Sequence, residues 1–110
     1  MKLILKQLVL VSFLGLIITL FTVNAEMADT TAGERRAGVC FSCHSKDGIS
    51  KLPGTPHLAG QDRQYLENAL KAYRIGQERS NPTMTAMAKP LSDKDIVDIS
   101  AYFSKLPYMK

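Results

Sequence analysis

The sequence predicts a small all-α domain. Three stretches combine a helix start signal with apolar residues spaced three or four apart, and the second and third of them are followed by glycine or proline. No stretch alternates apolar and polar residues as a half-buried strand does, and no internal repeat is present. The 110 residues leave room for one such domain.

Each predicted helix begins at a residue that can cap it. In the first, Thr31 and Glu34 have the S/T-x-x-E form of a capping box. In the second and third, an aspartate or serine precedes a run of residues that share one buried face. The predicted helices run from Thr31 toward Cys40, from Asp62 to Gly76, and from Ser92 to Leu106, ahead of Pro107.

The first 25 residues have the layout of a signal peptide. Two lysines precede an apolar run from Leu8 to Val23, and Val23-Asn24-Ala25 resembles the A-x-A pattern that a signal peptidase recognises. We predict cleavage after Ala25, which leaves residues 26–110 as a domain in the periplasm. The alternative is an uncleaved anchor, since the run is slightly shorter than the ~20 residues that span a bilayer. Both arrangements place the domain outside the inner membrane.

The charge does not indicate nucleic-acid binding. The formal net charge of the chain is +4, and removal of Lys2 and Lys6 leaves 12 basic and 10 acidic residues, a charge of +2. No run of lysines or arginines is present. A nucleic-acid partner is therefore not expected.

The pentad Cys40-Phe41-Ser42-Cys43-His44 has the C-x-x-C-H form of a c-type haem attachment site. Two thiols three positions apart can bond to the two vinyl groups of a porphyrin, and a histidine directly after the second then lies under the iron. Covalent attachment retains the cofactor in a domain too small to enclose it. The pentad therefore predicts one haem c, joined to Cys40 and Cys43, with its iron bound by His44.

Two other interpretations of the pentad fit less well. A redox disulfide of the thioredoxin type belongs to a strand-to-helix junction, and no strand is predicted here. A structural zinc site would use His57 as its fourth ligand beside the pentad, but adjacent Cys43 and His44 rarely both point at one tetrahedral ion.

A haem iron that only transfers electrons needs a second axial ligand, and the candidates lie after the pentad. His57 follows His44 by only 13 residues, so we interpret it as a solvent-facing loop residue. Residues 46–61 are rich in Gly, Pro and Ser and are predicted to be a loop with room to pass over a haem edge. Met109 is next to the C-terminus.

Met84 and Met87 are the remaining candidates. They lie in residues 81–90, a segment with proline near each end and little periodicity, which predicts a loop that returns to the haem. Either methionine could instead fill a gap in the core. Spacing alone does not choose between them.

These features together resemble the class I c-type cytochromes, in particular the small bacterial periplasmic domains found singly and in two-haem cytochromes. The resemblance covers residues 31–106 and implies the small class I cytochrome c fold, three main helices around one covalently bound haem. Its markers after the pentad are Pro56-His57-Leu58-Ala59-Gly60-Gln61, Tyr65-Leu66, Met84 ahead of Leu91-Ser92-Asp93-Lys94-Asp95-Ile96, and Ala101-Tyr102-Phe103.

The resemblance also implies roles for individual residues. In similar domains the ligating methionine stands seven residues before the leucine of the L-S-D segment, which implies Met84 rather than Met87. A proline carbonyl, here that of Pro56, is placed against the free ring nitrogen of the proximal histidine. This hydrogen bond would orient the imidazole of His44 and increase its donation to iron.

Four further residues bear on the packing and on the propionates. Gly33 matches a small residue where the first helix crosses the last, packed against an aromatic such as Tyr102. Arg36 stands where related cytochromes often have an apolar or aromatic residue, so this contact is expected to differ in detail. Arg74 and Arg79 are either partners of the haem propionates or solvated charges.

The function implied is one-electron transfer in a periplasmic respiratory chain. Two protein ligands on the iron leave no position for a small-molecule substrate, so no catalytic turnover is expected, and a thioether ligand raises the reduction potential. The partners would be a reductase and an oxidase, with membrane contact only if the N-terminal segment is uncleaved. The alternatives are a cytochrome c subunit of a larger oxidoreductase complex and a five-coordinate haem protein that binds gas or peroxide.

Overall fold

The computed structural model describes residues 1–19 and 27–108, and every regular element in these two ranges is helical. The predicted all-α class is therefore confirmed. The predicted cleavage site after Ala25 and the candidate Met109 lie outside the described residues. The helices are α1 (Lys2–Thr19), α2 (Thr30–Arg36), α3 (Phe41–His44), α4 (Arg63–Ile75), α5 (Pro82–Ala88) and α6 (Asp93–Lys105), with a 3₁₀ helix at Ala37–Cys40.

Helix α1 coincides with the predicted signal sequence. Its apolar side chains Leu3, Ile4 and Leu8 are exposed, and none of them belongs to the hydrophobic core. Within the described ranges, no helix combines the length and the apolar character needed to cross a membrane. Cleavage after Ala25 stays a prediction.

Two of the predicted helix starts are confirmed by their caps. The Asp62 carboxylate accepts the Tyr65 N–H at the start of α4, and Gly76 ends this helix with a φ of 75°. At the start of α6, Ser92 and Asp95 form a reciprocal capping box. Helix α6 ends at Lys105, just ahead of the proline that was expected to stop it.

The predicted cap of α2 was wrong by two residues. Asp29, and not Thr31, is the cap: its carboxylate accepts the N–H groups of Thr31 and Ala32 at 2.9 and 3.0 Å. Asp29 is itself held because its own N–H donates to the Asp98 carboxylate in α6. A contact 69 residues away in sequence therefore decides which residue caps this helix.

The prediction of a loop over residues 81–90 was also wrong, because α5 forms there. The Asn81 side chain accepts the Met84 N–H at 3.0 Å, and Pro82 occupies the first turn, where its missing N–H costs no hydrogen bond. The prolines that suggested a loop therefore mark a helix start at one end and a stop after Ala88 at the other.

The core lies where α2 and α4 pack on α6. Gly33 allows the backbones of α2 and α6 to touch, since a Cβ at this position would overlap the carbonyl of Asp98 and lie 3.1 Å from the Ile99 nitrogen. The crossing is thus one turn before the expected Tyr102 contact. The buried core residues are Ala37, Leu66, Leu91, Ile96, Ile99, Tyr102 and Phe103.

Polar contacts fix the same three helices at their edges. Arg36 of α2 stands where related cytochromes often have an apolar or aromatic residue. It pairs with Asp95 of α6 at 3.1 Å. Arg74 of α4 donates to the Leu91 carbonyl at 2.9 Å and to the Asp93 carboxylate at 2.6 Å. Arg74 therefore joins α4 to the start of α6.

Acid is expected to destabilise the domain through the start of α6. The Ser92 N–H and the Arg36 guanidinium lower the pKa of Asp95. A carboxylate whose pKa is lower in the folded state stabilises the protein above the unfolded pKa, and this contribution is lost as the pH falls through the folded value. Asp95→Asn should lower the free energy of unfolding by roughly 1 kcal/mol at neutral pH, the value of one capping interaction.

This prediction can be checked by urea unfolding of the holoprotein at a series of pH values. The stability difference between wild type and Asp95→Asn should shrink below about pH 4, where carboxylates become protonated. A difference that stays constant down to pH 3 or below would contradict the assignment.

Candidate functional site

The pentad lies at the end of three short helical pieces in succession and is carried by the last two of them. Helix α2 passes into the 3₁₀ helix that ends at Cys40, and α3 then carries Cys43 and His44. Phe41 packs against Tyr102 and Phe103 of α6, with ring centroids 6.0 and 6.4 Å apart. The aromatic contacts therefore hold α3 on the core, with Cys40 partly buried and Cys43 exposed.

His44 is held in one orientation. Its side chain is buried, with 7% of its surface exposed. Its Nδ1 lies 2.9 Å from the Pro56 carbonyl oxygen, which can only accept, so Nδ1 carries the proton. Nε2 has no hydrogen-bond partner among the described residues and is the nitrogen left to bind a metal.

The loop after His44 returns to it through specific contacts. Tyr102 of α6 donates its hydroxyl to the Lys46 carbonyl at 2.6 Å. The Gly48 carbonyl accepts the N–H groups of Leu58 and Ala59 at 2.8 and 3.1 Å. Gly48 has a φ of 72°, and a Cβ there would stand 2.7 Å from the Ala59 nitrogen. The close approach of these two loop segments therefore requires glycine at position 48.

Ser45, directly after His44, has a backbone conformation that favours glycine. Its φ of 66° and ψ of 154° lie in a region that costs a residue with a side chain about 1–3 kcal/mol. Ser45→Gly is therefore expected to raise the free energy of unfolding of the holoprotein by about 1 kcal/mol, after the entropy that glycine adds to the unfolded chain.

Ser42→Gly is the matched control for this prediction. Ser42 is exposed and helical in α3, so glycine should destabilise the protein there by up to ~1 kcal/mol. Guanidinium unfolding of both variants measures the two changes. Equal losses in the free energy of unfolding would show that Ser45 is not strained.

The Cys40 thiol does not have the pKa expected of the nucleophile in a redox pair. Burial raises the pKa of the Cys40 thiol, with Arg36 opposing it, whereas a nucleophilic cysteine in a redox motif has a lowered pKa. The zinc interpretation also finds no support: in the described ranges no group of three or more His, Cys, Asp or Glu side chains is placed to hold a metal. His57 instead accepts the Ser50 N–H through Nδ1 at 2.8 Å.

Met84 and Met87 lie three residues apart in α5 and differ in exposure. Met87 is 40% exposed, whereas Met84 is partly buried and lies one turn before the fully buried Ala88. Residues four apart share a helix face, so Met84 lies on the same face of α5 as Ala88. The Asn81 cap also fixes the backbone of Met84.

The donor set and its surroundings fit a haem. Two thiols, an oriented imidazole and a thioether are the groups that hold c-type haem. The segments that carry them also expose the apolar side chains of Val39, Leu52 and Met87. A large apolar cofactor would give such side chains a partner.

The two arginines left open by the sequence both contact protein groups. Arg74 joins two helices, as described above. Arg79 donates to the Tyr65 hydroxyl at 3.0 Å, and its guanidinium carbon lies 5.5 Å from the ring centroids of Tyr65 and Tyr73. These contacts favour a structural role for Arg74 and give Arg79 a cation–π environment.

Ser50 lies in the loop after the pentad, and no sequence pattern predicts a role for it. This residue is 9% exposed, and its hydroxyl donates to the Cys43 carbonyl at 2.9 Å and accepts the Leu52 N–H at 3.1 Å. One serine in a loop rich in Gly, Pro and Ser has no pattern that distinguishes it, so only the structure reveals its contacts.

Comparison with known proteins identifies the family. Residues 30–107 match the family model described as cytochrome c. Cytochrome c-554(548) of Halomonas halodenitrificans is 49% identical over 78 residues, which cover 69% of this chain and 94% of that protein. Cytochrome c4 of Thiocapsa roseopersicina is 41% identical over 83 residues, 74% of this chain but 42% of that protein.

The likeness extends to a solved structure. Reduced cytochrome c4 from Pseudomonas stutzeri superposes with a TM-score of 0.69 at 40% identity, and the match covers 74% of this chain and 47% of that one. The chain thus spans less than half of these cytochrome c4 relatives. It belongs to the cytochrome c family, has the class I fold, and binds haem c covalently.

Proposed function

We propose that the protein is a periplasmic one-electron carrier whose haem is attached through Cys40 and Cys43 and whose iron is bound by His44 and Met84. The observation that carries this proposal is the buried imidazole of His44, held at Nδ1 by Pro56 and directly preceded by the second thiol. The haem supplies the one-electron change between ferric and ferrous iron.

Pro56 orients His44 and increases its basicity. A neutral imidazole that donates through Nδ1 presents Nε2 as a stronger donor to iron, which stabilises the ferric state.

Met84 is the second proposed ligand. Its partial burial on α5 supports it over Met87, which is exposed. A thioether disfavours the ferric charge and so raises the potential, opposing the effect of Pro56. With both axial positions filled by protein, no substrate position remains, and we infer transfer of electrons without catalytic turnover.

Redox proteins are the proposed partners. Cys43 is exposed at the attachment site, so the edge of a haem bonded to it would lie near the surface. Electron transfer through an exposed edge suits brief encounters with small interfaces, below ~1,200 Å². A reductase would supply the electron and an oxidase would accept it.

The proposal is tested by spectra of the purified holoprotein. A pyridine haemochrome spectrum should show one c-type haem per chain, and the oxidised protein should show the weak sulfur-to-iron band at the red end of the visible spectrum. Ferrous protein should take up little carbon monoxide at neutral pH. Ready uptake of carbon monoxide would instead identify a five-coordinate haem protein.

The proposed compartment has its own test. The N-terminal sequence of protein isolated from a periplasmic extract should begin at Glu26. Protein found only in the membrane fraction, with its N-terminus at Met1, would show that the segment remains as an anchor.

A further inference from the structure

Three hydrogen bonds link the end of the pentad, Ser50 and the Pro56-His57 pair to one another. The Ser50 hydroxyl donates to the Cys43 carbonyl at 2.9 Å, and the Ser50 N–H donates to His57 Nδ1 at 2.8 Å. The His44 Nδ1 donates to the Pro56 carbonyl at 2.9 Å. Cys43 and His44 are consecutive, as are Pro56 and His57, so the three bonds tie three points of the chain into one ring.

The contact made by His57 is unusual for its position. The side chain is exposed, so it adds little to packing, yet its Nδ1 is used as an acceptor for a backbone N–H from another part of the loop. Ser50, its partner, is almost fully buried and bonded through both its hydroxyl and its backbone. His57 therefore attaches one side of the loop to a fixed point.

The carbonyl of Pro56 depends on its neighbours for its direction. Proline has no N–H with which to anchor itself. On one side, the Thr55 N–H donates to the Leu52 carbonyl at 3.2 Å. On the other side, His57 is the adjacent residue, and its ring is bonded to Ser50. One backbone contact and one side-chain contact therefore flank the carbonyl that accepts the hydrogen bond from His44.

We infer that Ser50 and His57 are positioning residues that set the strength of the hydrogen bond between Pro56 and His44. This inference rests on the proposed ligation of iron by His44. Loosening the bond reduces the basicity of the imidazole and its donation to iron, which destabilises the ferric state and raises the midpoint potential. Neither residue is one of the proposed iron ligands.

The test compares His57→Leu with His57→Asn in the holoprotein. Leucine removes the acceptor, whereas the Oδ1 of asparagine stands at the same branch of the side chain as Nδ1 and can accept the Ser50 N–H. Potentials are measured at about pH 9, where imidazole side chains are uncharged, so that the variants differ in bonding and not in charge. Lys51→Arg, an exposed change in the same loop that keeps the charge, is the control.

His57→Leu should raise the midpoint potential by an amount equivalent to less than a tenfold change in the redox equilibrium constant, since Pro56 itself remains. His57→Asn and Lys51→Arg should keep the wild-type value. The hyperfine-shifted ring signals of His44 in the NMR spectrum of the oxidised protein should move in His57→Leu alone.

Each other outcome overturns the inference. If His57→Leu keeps the wild-type potential and ring signals, the backbone contacts of Gly48 hold the loop without His57. If His57→Asn shifts as far as His57→Leu, the imidazole acts by something other than the bond to Ser50. Failure of the proposed function is distinguishable, because the wild-type protein would then lack the sulfur-to-iron band before any variant is compared.

Discussion

Gly33→Ala is expected to lower the free energy of unfolding by roughly 3 kcal/mol, the upper part of the range for an overpacked site. The added Cβ would overlap the carbonyl of Asp98, so the neighbour that must move is the backbone of α6 and not a flexible side chain. Helix α6 also carries Tyr102 and Phe103, against which Phe41 and the pentad are packed.

Gly38→Ala is the matched control. Gly38 lies in the 3₁₀ helix one turn later, and a Cβ there meets no atom within 4 Å. Alanine at this position should be neutral or stabilising by up to ~1 kcal/mol, through the unfolded state. Chemical unfolding of the holoproteins measures both changes. Similar stabilities of the two variants would show that α2 and α6 can separate at little cost.

The helix predictions succeeded where the signal is local. Asp62 and Ser92 cap the residues that follow them within three positions, so the sequence alone contains both partners of each bond. Asp29 takes the place of Thr31 as the first cap because Asp98, 69 residues away, holds its backbone N–H. Such a partner cannot be inferred from the spacing of residues along the chain.

Helix α5 shows an error of a different kind. Asn81-Pro82 is a helix start signal, with a capping side chain followed by proline in the first turn. The two prolines that bound the segment favoured the prediction of a loop. A seven-residue helix is too short to show clear periodicity, so the cap was the better evidence.

The predictions about the site divide in the same way. The pentad is local, and the roles of its two thiols and histidine were predicted from their spacing alone. The contact of His44 with Pro56 was implied by the family resemblance, and the structure places the two atoms 2.9 Å apart. Ser50 could not be identified, because its importance comes from bonds to residues seven positions away on either side.

Met84→Ala should abolish the sulfur-to-iron band, whereas Met87→Ala should retain it. Met84 is partly buried on the helix face of the buried Ala88, and Met87 is exposed on the same helix. Alanine at position 84 removes the thioether and leaves an axial position open. The midpoint potential should fall by on the order of 0.1 V, a fraction of the ~0.8 V over which axial ligands tune haem.

Carbon monoxide uptake separates loss of a ligand from loss of structure. Ferrous Met84→Ala should bind carbon monoxide readily while its far-ultraviolet circular dichroism stays that of a helical protein, because alanine favours the helix of α5. Met87→Ala should bind it as poorly as the wild type. The reverse pattern would assign the iron to Met87, and an intact band in both variants would exclude both residues of α5 as the ligand.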